Sequence, residues 1–590
     1  MSHTTPPLTP MSLGRLLGRI EHEWSTRHKV FDLPNARIWQ PDPDIDLSFE
    51  FLGRRCATPV GPAAGPHSQM AQNIVLAWLG GARLFELKTV QVLDDLEIGR
   101  PCIDMETIGF NIEWSQELEV AASLEEYVKA WMLIELLRHW DPLAEHLGPD
   151  PGSHVFDMSV GYDLAGIRDP KVAGFIDGMR DATDEIERLR PEIGGGFAPL
   201  RDLEFPSRVA DTITLSTFHG CPPDEIESIT KHLIEHHDVD VIVKLNPTLL
   251  GYEAVRGMVV DELGYTDLQL DPAAFDADLQ FDRGVELIGE LDDFARARGH
   301  RFGIKLTNTL VVRNHKGWMP DDTMYLSGPP LHVLASNLLA RLADALPARL
   351  ALPGHDGSVM VSFSAGVDKA NLPNILGTGV GPATVCSDLL KPGGYGRLAP
   401  MLKHLTGVLR DSDVTDLAGW RTHRLAVARD AGHPDPAHHH AAEIRDDGIG
   451  PYHHDGNTKL PRADDHELEM FGCVACNFCI TVCPNDAFFS IPSLDGMDGR
   501  QQYLVLAELC NECGNCLTFC PEDGDPAEVK PRIHVDPGVF DGRTGQGFLL
   551  TGDPDEPLRS RLDDAASLSL VAQLLDAGEA TPLGAGDATS

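Results

Sequence analysis

The chain lacks several things that would place it quickly. Across 590 residues no apolar run approaches the length of a membrane-spanning helix, which argues against a membrane protein. Basic side chains are few. Lys and Arg total 48, only 13 of them lysine, against 90 Asp and Glu, for a formal charge of −42. A surface this acidic makes nucleic acid and anionic membrane poor partners. The N-terminus has no charged start followed by an apolar run, so no export signal is expected. No strand–GxGxxG–helix unit is present: Gly377-Thr378-Gly379-Val380-Gly381 has the glycines without the βαβ context. There is no Walker A sequence and no molybdenum-site pattern, and no amidotransferase nucleophile heads the chain. A Rossmann module for NAD(P)H or FAD is therefore not expected. Hydrophobic content of 42% is ordinary for a globular protein.

What is present is concentrated in the cysteines. Eight of the twelve fall into one spacing written twice: Cys473, Cys476, Cys479, Cys483-Pro484, then Cys510, Cys513, Cys516, Cys520-Pro521. The run C-x2-C-x2-C-x3-C-P is that of a bacterial-type ferredoxin with two [4Fe-4S] clusters, in which the fourth cysteine of each run serves the other cluster. One cluster should use Cys473, Cys476, Cys479 and Cys520, the other Cys510, Cys513, Cys516 and Cys483. A pair of zinc ribbons would need only four ligands each and has no use for a third cysteine at this spacing. Cysteines in this pattern belong in a reducing cytosol, so a cytoplasmic protein is expected.

The rest of the chain reads as an α/β protein. Met11, Leu13, Leu16, Leu17, Ile20 and Trp24 repeat at helical spacing, giving an N-terminal helical extension over 1–50. Eight β-rich runs follow: Ala57–Gly65, Arg83–Val90, His154–Gly161, Asp211–Phe218, Asp240–Pro247, Arg301–Val311, Val359–Val367 and Thr378–Leu390. Most precede helical sequence, the count of a TIM (β/α)8 barrel over 51–428. An additional helix, Ser123–His139, opens with the capping-box pattern Ser123-x-x-Glu126. Residues 429–465, with His438, His439 and His440, read as a solvated linker. A small α+β ferredoxin-like domain is expected over 466–540. An acidic tail over 541–590 follows, with one helix near Arg559–Asp576 and a disordered last ten residues.

Barrel enzymes place their chemistry where strands end. The first strand ends in Gly61-Pro62-Ala63-Ala64-Gly65, small enough for a flat ring to lie close. The second ends in Glu86-Leu87-Lys88-Thr89, where a lysine can stabilise developing negative charge. Asn111 follows. The fifth strand ends in Lys244-Leu245-Asn246, the sixth in Thr307-Asn308-Thr309, the seventh in Ser364-Ala365-Gly366, and the eighth carries Cys386-Ser387.

With these residues the barrel resembles the dihydroorotate dehydrogenase family, and in particular the flavin domain of dihydropyrimidine dehydrogenase. The carriers are PVGPAAG, ELKTV, IGFN at 108–111, LSTFHG at 215–220, VKLNP, TNT and SAG. Barrel plus ferredoxin is similar to the flavin and iron–sulfur portions of the selenate reductase subunit family, without that family's FAD/NAD(P)H module. The resemblance implies FMN. It implies that Lys88 and Lys244 contact the ring, that Gly61–Gly65 line its edge, that Asn111 and Asn308 lie near substrate, and that Gly366, Cys386 and Ser387 hold the phosphate. Thr89 and Asn246 belong to the same strand ends.

Such enzymes also need an acid or base on the fourth-strand loop. That loop reads Ser216-Thr217-Phe218-His219-Gly220-Cys221-Pro222, with Thr217 at the family's base position. Cys221 precedes a helix, where a thiol is acidified. Cys221, Thr217 and His219 are the candidates.

The expectation is an FMN-dependent oxidoreductase. It would exchange hydride with a small cyclic amide or heterocycle and relay electrons through two clusters to a separate protein, either a ferredoxin or an FAD/NAD(P)H subunit. The alternatives are an electron-transfer subunit with no substrate chemistry, or a heterodisulfide-type or glutamate-synthase-like assembly subunit.

Overall fold

The computed structural model describes residues 8–577 except 95, 97, 113, 114, 148–150, 217, 218, 447, 448 and 554. Eight parallel strands form the centre: β1 Val60–Pro62, β2 Leu84–Glu86, β3 Val155–Gly161, β4 Thr212–Ser216, β5 Asp240–Leu245, β6 Phe302–Leu306, β7 Met360–Phe363 and β8 Ala383–Val385. Their order around the sheet is the order of the chain, from β2 through β8 to β1. The β1–β2 seam is closed by the Arg83 amide donating to the Val60 carbonyl at 3.0 Å. All eight strands lie inside the runs expected for them, shortened because the expected windows include the loops that follow.

Four features of the structure differ from the sequence expectations. Gly61 does not line a ring site. It sits in the seam, where a Cβ would stand 1.5 Å from the Leu84 carbonyl oxygen. The helix expected to start at Ser123 starts at Val120 with Glu119 as its cap. Ser123 is buried within it, and the helix packs on its neighbours as the barrel's second helix rather than an addition. The expected linker contains the helix Pro436–Asp446, which packs on Pro329–Ala345 and buries His440. Finally, the ferredoxin-like region does not stop at 540. Its five-stranded sheet comprises β9 Phe488–Pro492, β10 Gln501–Leu506, β11 Arg532–His534, β12 Phe548–Leu550 and β13 Leu558–Ser560, and helix Ala565–Ala577 packs against it. The last ten residues of the chain lie outside the described residues.

Two insertions cover the barrel's open end. Ile103–Asp104 and Phe110–Asn111, after β2, pair with Leu310–Arg313 and Thr323–Leu326, after β6, in a four-stranded antiparallel sheet. The N-terminal helix Leu13–Arg27 ties the parts together. Lys129 reaches the Met11 carbonyl from the barrel side at 2.7 Å, while Arg19 pairs with Asp486 of the cysteine-rich region at 2.7 Å. No described helix is long and apolar enough to cross a membrane.

Gly61→Ala should lower the unfolding free energy by about 2 kcal/mol or more, because backbone must move to admit the methyl. Gly289→Ala, in an open helical position with no atom within 4 Å of the added carbon, should raise it by about 0.5–1 kcal/mol. Thermal unfolding of the two variants beside wild type checks both.

Candidate functional site

A cavity of about 490 Å³ lies at the strand ends under the four-stranded cover, within the size range of small-molecule and cofactor sites. Ala63, Ala64, Gly65, Lys88, Thr89, Asn111, Lys244, Asn308, Gly366, Cys386 and Ser387 all reach its wall, as does His219. Its floor is charged. Glu86, fully buried, takes Lys244 at 3.4 Å and Lys305 at 2.9 Å. Burial opposes the Glu86 charge, but the two ammonium groups outweigh it and hold the carboxyl at about 2. Below, Asp157 accepts from Thr212 and Thr214 at 2.7 and 2.6 Å, and burial pushes it up to about 7. Lys88 also lines the wall. Burial lowers it to about 8 despite the raising effect of Glu117 and Cys386.

The wall is close-fitting where a ring or phosphate would lie. A Cβ on Gly65 would stand 3.0 Å from the Cys386 sulfur, and one on Gly109 would stand 2.3 Å from Ser327 Oγ. Gly366 has φ +52° and faces the Gly328 carbonyl. Ser327 and Ser387 share a hydrogen bond at 2.9 Å. The buried Thr307 hydroxyl has no partner among the described residues. Small residues, two wall lysines and an orphaned hydroxyl fit a flat, anionic cofactor.

The candidate acid–base groups separate. Thr217 lies outside the described residues. Cys221 is 3% exposed and off the cavity wall. Burial, with Glu225, Asp278 and Asp163, pushes its thiol up to about 12, so desolvation wins over the acidifying helix start. His219 is on the wall, its Nδ1 2.9 Å from Asp278 Oδ2. Burial opposes the Asp278 charge, but hydrogen bonds from His219, Thr248 and the Gly220 amide hold it below the usual carboxylate range. Asn246 is behind the wall. It donates to Asp278 at 3.2 Å and accepts from Asn308 at 2.8 Å. Asp278, Glu86, Lys305 and Tyr325 were not identified from sequence. Asp278 sits in a long connection with no periodic or spacing signal.

The structure places the eight thiols in two groups. Cys520 interacts with Cys476 and Cys473, while Cys516 interacts with Cys513, Cys510 and Cys483. No three described His, Cys, Asp or Glu gather at single-ion spacing. Arg543, whose buried Nε and Nη1 have no hydrogen-bond partner among the described residues, lies beside the second set, which fits an anionic cluster there.

That second set adjoins the cavity. The amides of Cys102 and Ile103 both donate to the Cys513 carbonyl at 3.1 Å, and Ile103 is on the cavity wall. Asn515 donates to the carbonyl of Leu390, another wall residue, at 2.9 Å. The first set lies outward, next to Val474, which is 51% exposed.

Comparison with known proteins follows the same division. The family described as "Oxidoreductase YgfK, N-terminal TIM-barrel domain" matches residues 31–432, and a "4Fe-4S dicluster domain" matches 472–523. The curated "Putative oxidoreductase YgfK" of Escherichia coli strain K12 is 40% identical over 420 residues, 68% of this chain, and the protein of that name from strain O157:H7 matches equally. The chain spans 39% of the length of those relatives. Ligand-free and ferulenol-bound DHODH structures from Eimeria tenella superpose at TM-scores of 0.39 and 0.37 with 15% identity. They cover 68% and 64% of this chain, and 96% and 89% of theirs, a likeness too slight to carry a conclusion.

The Lys88 shift has a measurable sign. Its folded value of about 8 is below the ordinary 10.5, so between these values the unfolded chain binds more protons and stability rises with pH. Lys88→Met should remove that rise. Melting temperatures of cofactor-stripped wild type and variant, measured from pH 7.5 to 10, should converge toward the upper end. Parallel curves would contradict the assignment.

Proposed function

This chain belongs to the YgfK oxidoreductase family, and from that premise we propose that it is an FMN-dependent iron–sulfur oxidoreductase. It exchanges hydride with a small cyclic amide or related heterocycle in the barrel cavity and passes electrons through two [4Fe-4S] clusters to a separate redox protein. The observation that carries this reading is the shared wall: Ile103 faces the cavity and its amide bonds the carbonyl of Cys513, a cluster cysteine.

Bound in the cavity, FMN supplies hydride transfer and the conversion between two-electron and one-electron steps. The protein's own residues do the rest. Lys88 and Lys244 place positive charge where a ring would gain negative charge. Asn111 and Asn308 present amides suited to a planar amide substrate. Asn308 is held by Asn246 at 2.8 Å, which fixes its orientation. His219 is the proton carrier. With Nδ1–H donated to Asp278, the tautomer is set and Nε2 is left to take or give the proton. Small wall residues at Ala63, Ala64 and Gly65 leave space for the ring, and the four-stranded cover limits water. Electrons would leave by the buried set at Cys510, Cys513, Cys516 and Cys483, then by the outer set at Cys473, Cys476, Cys479 and Cys520. A relay subunit without substrate chemistry has no need of the His219–Asp278 pair.

Anaerobically purified protein should contain about one FMN and about eight irons per chain. His219→Ala should lower turnover by about 10²–10⁴-fold with flavin content unchanged, whereas Cys221→Ala should leave turnover within about twofold. Flavin absorbance during anaerobic addition of uracil, dihydrouracil and purine-derived compounds is the readout. If none of them changes it, the relay reading replaces this one.

A further inference from the structure

Arg543 is 6% exposed, and among the described residues no carboxylate lies within ion-pair distance of it. Its Nε and Nη1 have no hydrogen-bond partner, and Nη2 donates to the Cys510 carbonyl at 3.4 Å. The nearby arginines are provided for. Arg532 pairs with Glu512 at 3.1 Å and donates to the Ala527 carbonyl at 2.6 Å. Arg561 donates to the Gly545 carbonyl at 3.0 Å. Glu508, the other carboxylate nearby, spends Oε1 on the Val535 and Asp536 amides; its buried Oε2 has no hydrogen-bond partner among the described residues, and no ion pair joins it to Arg543 there. A guanidinium buried without a counter-charge costs several kcal/mol, so an anionic group must complete this site. The Nη2 bond to the Cys510 carbonyl places Arg543 beside the inner set.

The outer set is different. Its nearest side-chain charges are Glu522, beside Cys476 and Cys520, and Lys530, beside Cys479, whose ammonium is bonded to the Glu469 carbonyl at 2.7 Å. Around the inner set, Asp486 is paired with Arg19 and Asp525 caps Ala527, and Arg100 is paired with Glu117. Arg543 is therefore the cation in excess. It comes from a segment beyond the matched dicluster residues 472–523.

We propose that Arg543 is the counter-charge of the cluster held by Cys483, Cys510, Cys513 and Cys516, and that it sets this cluster's reduction potential above that of the outer one. The inference rests on the two-cluster reading above. The step concerned is one-electron reduction of the cluster, with no bond made or broken. Reduction adds one negative charge, and a fixed cation stabilises the reduced form. The cluster on the cavity wall is then the better electron acceptor, and Arg543 acts as a positioning residue for charge rather than touching substrate.

Redox titration of the anaerobic full-length holoprotein, followed by electron paramagnetic resonance, tests this. Wild type should show two midpoint potentials. Arg543→Gln should weaken the higher one at least tenfold in its reduction equilibrium, 59 mV for one electron, and leave the lower one in place with iron still about eight per chain. Arg543→Lys, which keeps the charge, should stay near wild type. The proposal is overturned if the Gln variant moves neither potential or both alike, or if Lys falls as far as Gln. Should Gln lose iron, the Lys variant decides: retained iron and potential support the proposal, and loss of iron there too overturns it. Wild-type protein with four irons or fewer would refute the two-cluster reading itself, and this inference with it.

Discussion

Two consecutive amides, those of Cys102 and Ile103, converge on one carbonyl, that of Cys513. The rest of the arrangement depends on this contact. It makes one stretch of chain both the wall of the barrel cavity and the support of a cluster-binding loop. Neighbouring bonds hold the same seam: Tyr395 Oη donates to the Pro484 carbonyl at 2.9 Å, Asn73 reaches the same carbonyl, and Gln72 donates to Asn485 at 3.1 Å. Each such bond contributes about 1 kcal/mol net, but together they fix orientation. Glycines permit the close approach. At Gly514, with φ +88°, a Cβ would stand 2.7 Å from Pro101, and at Gly394, with φ +46°, one would stand 2.0 Å from the Thr481 carbonyl oxygen.

Buried charge organises both sides of the seam. On the barrel side, Glu86 is surrounded by Lys244 and Lys305, so a full carboxylate lies beneath the cavity and Lys244 is held in place above it. Asp157 lies nearby, where burial raises its pKa despite the hydrogen bonds from Thr212 and Thr214. On the cluster side, Arg543 has no carboxylate within ion-pair distance among the described residues. A reaction that moves electrons between cavity and cluster changes charge on both sides, beside Lys88, Lys244 and Glu86 on one and Arg543 on the other.

Much of this was legible in the sequence, and for physical reasons. The eight strands appear as short β-rich runs because a barrel strand buried on both faces must be apolar. The strand-end residues Ala63, Lys88, Lys244 and Cys386 reach one cavity because barrel topology brings all strand ends together. The cysteine spacing carries its own geometry. What the sequence did not show depends on packing. The acidity of Cys221 turned on burial, which local motif reading does not supply. Gly61 proved to be a seam residue because Leu84 passes beside it, a contact between different strands. Asp278 orients His219 across 59 residues with no periodic signal. The His-rich stretch at 438–440 resembled a linker by composition, yet its apolar positions Ala437, Ala441 and Ile444 bury one face of a helix.

The central claim is spatial: one iron cluster against the cavity wall and the other outside it. Diffraction from anaerobically grown crystals at the iron absorption edge measures this directly. The account predicts two separate groups of anomalous peaks, one enclosed by Cys483, Cys510, Cys513 and Cys516 behind Ile103, the other beside Val474. A single group, or two groups both remote from the cavity wall, would contradict it.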